Sequence, residues 1–89
     1  MQGGAHVRER ELVARHVAKD LQGARDALDR AIELAPDYAP ALGARGDVRR
    51  ALGDREGAIA DYDAFLRLSP TAPVARNITI KKAQLEAQR

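Results

Sequence analysis

The chain of 89 residues contains no cysteine and no tryptophan, and aromatic residues make up only 3% of it. Without cysteine, disulfides and thiolate metal sites are excluded, and nothing points to an oxidising compartment. The apolar content is 45%, but much of it is alanine, which favours helix and adds little buried area. A thin core with closely packed helices is therefore expected. No apolar run approaches the roughly 20 residues of a membrane span. The opening Met-Gln-Gly-Gly-Ala-His has neither the basic start nor the apolar stretch of a secretory signal. A cytoplasmic location and no membrane partner are the resulting expectations. Charge of one sign is also lacking, since 15 basic side chains face 13 acidic ones for a net +2. The two signs alternate along the chain, as on a solvated helical surface. With almost no aromatic side chains to stack on bases, this distribution disfavours nucleic acid as a partner.

What is present is helical periodicity with clear punctuation. From His6 to Ala18 nothing breaks a helix, and Leu12, Val13 and Val17 share one face, with Val7 a turn below. Lys19-Asp20-Leu21-Gln22 reads as a short connection in which Asp20 caps the next helix. That second helix runs from Leu21 to about Ala35. It has an apolar stripe of Ala24, Leu28, Ala31 and Ile32, and Asp26, Asp29, Arg30 and Glu33 lie on the other face. Pro36 ends it, because the residue before a proline is steered out of the helical region. Pro40 suits the first turn of a third helix, which carries Gly46 at its centre and closes at Gly53. A helix-interior glycine costs roughly 1 kcal/mol relative to alanine, so Gly46 implies close approach of another helix. Asp54 is placed to cap a fourth helix with Ala58, Ile59, Tyr62, Phe65 and Leu66 as its buried stripe. Ser69-Pro70-Thr71-Ala72-Pro73 breaks the chain again, and a fifth helix runs from about Pro73 to Ala87.

Laying Asp20 over Asp54 also aligns Gly23 with Gly57, Ala24 with Ala58, Leu28 with Tyr62, Ile32 with Leu66, Leu34 with Leu68 and Pro36 with Pro70. A period of 34 over a helix–turn–helix unit resembles the tetratricopeptide repeat family. The match is strongest over 39–72, where Leu42, Gly46, Ala58, Tyr62 and Pro70 stand at the family's large, small, small, aromatic and closing-proline sites. Larger side chains at Gly46 or Ala58 would overpack the helix pair, at about 1–3 kcal/mol. Arg45 and Arg49 depart from the pattern, which has a large apolar and an aromatic residue there. The first unit departs further, with Leu12 at the place of Gly46 and Arg8 at an aromatic place. The resemblance implies an all-α fold in which antiparallel helix–turn–helix repeats stack as a short right-handed α-solenoid of about five helices. It divides one domain, 1–89, into repeat one (5–38), repeat two (39–72) and a C-terminal capping helix (73–89).

Catalytic chemistry finds no foothold in these residues. His6 and His16 lack metal-ligand spacing, Asp61 and Asp63 flank Tyr62 and point to different sides of a helix, and no phosphate-binding glycine loop occurs. No enzyme activity, cofactor or metal is expected. By resemblance, the functional surface is the groove lined by the first helix of each repeat, which would hold a peptide or helical segment of a protein partner. The matching positions are Glu9, Val13 and His16, then Gly43, Asp47 and Arg50, then Asn77 and Lys81. One subset of the family clamps a C-terminal carboxylate with basic and amide side chains. The matching places here hold Glu9, Val13, Ala44, Val74 and Ile78, which cannot form that clamp. Arg45, Arg49 and Arg50 make the one local basic cluster. They either bind an acidic partner or phosphate, or pair with local acids such as Asp47, Glu56 or Asp61. The alternative function is self-assembly, with the terminal helices (Val13, Val17; Ile80, Leu85) joining chains into a homo-oligomer.

Overall fold

The computed structural model describes the backbone of residues 2–88 and the side chains of residues 15–88. Among the described residues there are four helices and no strand: α1 (Gln2–Leu34), α2 (Ala39–Leu52), α3 (Arg55–Leu68) and α4 (Ala75–Ala87). Consecutive helices pack on one another, α1 on α2, α2 on α3 and α3 on α4. The long dimension, 54 Å, follows from α1, whose 33 residues span about 50 Å at 1.5 Å per residue.

The punctuation around the last three helices acts as the sequence implies. Gly53 takes the left-handed conformation at φ 85° and closes α2, its N–H donating to the Arg50 carbonyl at 3.1 Å. The Asp54 carboxylate then accepts from the Gly57 N–H at 3.0 Å and caps α3. A Cβ on Gly57 would collide with that carboxylate, so glycine keeps room for the cap. α1 ends at Leu34, just before the Ala35–Pro36 pair.

The expected break at 19–22 does not occur. α1 is continuous through Lys19, Asp20, Leu21 and Gln22, so four helices stand where five are expected. The contrast with the turn between α2 and α3 supplies the reason. The place of Gly53 is taken, one repeat earlier, by Lys19, and a side chain there disfavours the left-handed turn by roughly 1–2 kcal/mol. None of the four residues excludes helix, so the helix continues. Asp20 is then an interior residue and not a cap.

The core lies where α2, α3 and α4 meet, with Leu42, Ala58, Ile59, Tyr62, Phe65, Ile78 and Leu85 buried. Tyr62 is wholly buried, and its ring lies so close to α2 that a Cβ on Gly46 would be 2.6 Å from it. This is the close approach that the interior glycine implies. α1 contributes less: Leu28, Ala31 and Ile32 are half-buried, while Ala24, the first member of its expected stripe, is exposed. Asp29, expected on the solvent face, is drawn inward to Arg45.

Candidate functional site

A cleft of about 420 Å³ opens between α2 and α4. Its two walls are the same helical stripe taken twice. Pro40, Gly43, Ala44 and Asp47 on α2 follow the i, i+3, i+4, i+7 spacing of one helix face. The opposite wall holds Val74, Asn77, Ile78 and Lys81, each one repeat beyond its counterpart. Phe65 of α3 and the α3–α4 connection, through Ser69 and Ala72, complete the lining. Gly43 makes the space: a Cβ there would sit 3.3 Å from the Phe65 ring and 3.5 Å from Ile78. A larger side chain would fill the cleft from the α2 side.

One end of the cleft is closed by a polar bridge. Lys81 Nζ donates to Asp47 Oδ1 at 3.0 Å, tying the walls together. The same oxygen accepts from the Tyr62 hydroxyl at 2.5 Å. Burial, and then the hydrogen bond to the Asp47 carboxylate, push the Tyr62 phenol well above its ordinary pKa. It therefore remains a hydrogen-bond donor throughout the neutral range. With Asp47 matched by Lys81, the cleft offers no net charge at that end. What remains is an apolar floor and side wall (Phe65, Ile78, Val74) and the amide side chain of Asn77, exposed at the rim.

Of the positions expected to line a groove, Gly43, Asp47, Asn77 and Lys81 come together in this cleft. Arg50 lies exposed on α2 outside the lining, and His16 is exposed on α1, away from it. The side chains of Glu9 and Val13 lie outside the described residues. Phe65, Ser69 and Ala72 were not legible as lining residues. Phe65 fits a packing stripe equally well, and only the α2–α4 spacing shows that its ring also borders open space. Ala44, Val74 and Ile78 all line the cleft and are apolar.

The arginine cluster is resolved between its two readings in favour of local acids for two of its members. Arg45 grips the buried Asp61 with both arms, Nε to Oδ2 at 3.0 Å and Nη2 to Oδ1 at 2.8 Å, and reaches Asp29 of α1 through Nη1 at 2.9 Å. Arg49 Nη1 adds a bond to Asp61 Oδ2 at 3.1 Å. Its Nε, buried without an acceptor, lies 3.7 Å from Asp54 Oδ2. The bidentate ion pair of Arg45 on the buried Asp61 joins α2 to α3, and the bond from Arg45 to Asp29 adds α1. Asp63 points the other way, to Lys82 of α4. Among the described residues no group of three or more His, Asp or Glu side chains could hold a metal ion, and no helix is long and apolar enough to cross a membrane.

No family model matches the chain, and comparison with curated proteins and with solved structures finds no match either.

Proposed function

We propose that this chain is a non-catalytic protein–protein interaction module of the tetratricopeptide-repeat type, its units stacked as a short right-handed α-solenoid. The α2–α4 cleft is its binding groove for a peptide or helical segment of a partner. The observation that carries this reading is the pairing of the walls: the same four stripe positions of two helices, one repeat apart, face one another across the cleft. Its volume lies in the range of roughly 300–1,000 Å³ typical of sites that bury a ligand. The apolar floor favours an occupant with one apolar anchor. Asn77 on the rim can both donate to and accept from the occupant's backbone. The Asp47–Lys81 pair is already satisfied internally, so binding would depend weakly on salt.

The reading is tested by selecting binders from a phage-displayed peptide library on the full chain, then titrating them into the protein and into an Ala44→Arg variant. Ala44 is exposed on the α2 wall, so the arginine obstructs the cleft without entering the core. The expected result is binding that weakens by about tenfold or more in the variant. Peptides that bind both proteins equally would place recognition elsewhere and overturn the assignment.

A further inference from the structure

The α2–α4 cleft has two unlike ends, and each leaves a side chain unused. One end opens onto the connections 34–40 and 68–75, which together hold a single charged residue, Asp37, in a chain that is 31% charged. Leu68 and Val74 are both about half exposed there, and Val74 also belongs to the cleft lining, opposite Pro40. Apolar surface thus continues from the cleft onto the turn, and exposed apolar surface beside a groove marks a contact site. The other end is polar. Past the Asp47–Lys81 bridge, Arg50 extends the α2 wall by one turn and is exposed. Its charge acts on the Tyr62 hydroxyl, the donor to Asp47, which puts Arg50 beside the bridge. Asp47 is already taken by Tyr62 and Lys81, and Asp61 by Arg45 and Arg49. Arg50 makes no hydrogen bond or ion pair among the described residues. It is the one member of the arginine cluster whose charge is left free.

Resting on the reading of this cleft as the binding groove, we infer that its occupant is an extended segment with two apolar residues and, further along, an acid. A helix has its own backbone groups paired, so only an extended chain offers Asn77 free N–H and C=O groups. Gly43 makes the space in which the first apolar side chain meets Phe65 and Ile78. Val74 lies four residues before Ile78, about 6 Å along the helix axis, which an extended chain covers in about two residues. The second apolar side chain packs there. Arg50 lies seven residues beyond Gly43, about 10 Å in the other direction, or about three extended residues. The acid reaches Arg50 at that distance, where the charges complement each other. The pattern is therefore apolar, one spacer, apolar, two spacers, acid. A single exposed ion pair adds little affinity, so binding still depends weakly on salt. What the pair sets is the direction in which the occupant lies.

The probes are peptides selected on the full chain from a random phage-displayed library. The expected selection shows this pattern, read in one chain direction or the other. Enrichment without the acid overturns the inference, as does apolar spacing of three to four residues, the mark of a helical occupant. Titration of a selected peptide then assigns the contacts. Val74→Ser should weaken binding by about fivefold and keep the fold, because serine suits the residue before a helix. Arg50→Glu should also weaken it by about fivefold, and lysine in place of the peptide's acid should restore affinity for that variant alone. Equal affinity for Arg50→Glu and the parent chain overturns the inference. If Ala44→Arg still weakens binding in that case, the groove reading stands and this inference alone falls. If neither substitution matters, both fall.

Discussion

Residues 20–34 and residues 54–68 carry one pattern, Asp-x-x-Gly-Ala followed by large residues at the same offsets, and they meet different surroundings. In the later copy the aspartate caps a helix, the alanine is fully buried and the large residue, Tyr62, is wrapped by α2 and its neighbours. In the earlier copy the aspartate and alanine are exposed in mid-helix, and Leu28 is half-buried. The same local sequence is thus worth different amounts of stability in its two settings. What separates them is whether a helix returns over the small-residue face, and that begins with one residue, Gly53 against Lys19.

Paired substitutions, one on α1 and one on or beside α3, measure the difference. The largest gap is expected between the two acids that hold Arg45. Asp61→Ala leaves Arg45 and Arg49 in a part-buried setting without their shared carboxylate, whose side chain is only 4% exposed. Loss of one partner of a buried pair costs about 3–5 kcal/mol. Asp29 is 39% exposed, and Asp29→Ala should cost no more than about 1 kcal/mol. Urea unfolding followed by circular dichroism reads both, and equal losses would erase the distinction between the regions.

A smaller gap should separate Ala58→Leu from Ala24→Leu. The first adds bulk at a position with no exposed surface and should lower stability by about 1–3 kcal/mol. The second enters open solvent and should change stability by less than about 0.5 kcal/mol, measured at a concentration where the chain is monomeric. The smallest gap concerns the aspartates. Asp54→Ala removes the α3 cap and should cost about 1 kcal/mol. Asp20→Ala, inside a continuous helix, should be neutral or stabilising by roughly 0.5 kcal/mol, since alanine is the better helix former. Thermal melts of the two variants compare them directly. A clear loss in Asp20→Ala would mean that α1 breaks at 19–22 in solution and that Asp20 caps there.

Much of the helical part was legible because helix ends are set by short-range chemistry. Gly53, Asp54 and Pro36 each act within a turn of their own position, and Gly46 announced a close neighbour through its cost alone. The cleft was half legible: the positions Gly43, Asp47, Asn77 and Lys81 were implied by the family resemblance, whereas Phe65 fits a packing stripe as well as a floor. The inward turn of Asp29 was not legible, because its partner Arg45 lies far along the chain and on another helix.

By itself, then, the sequence determined helix type, most helix ends and the repeat period, because propensity, caps and steric limits on backbone angles act between residues close in the chain. Tertiary structure decided which copy of the repeated face is covered and that Arg45 and Arg49 turn inward to Asp61. Each of these is a balance of a local preference of about 1–2 kcal/mol against packing with a distant segment. Such a balance exists only once the helices are assembled.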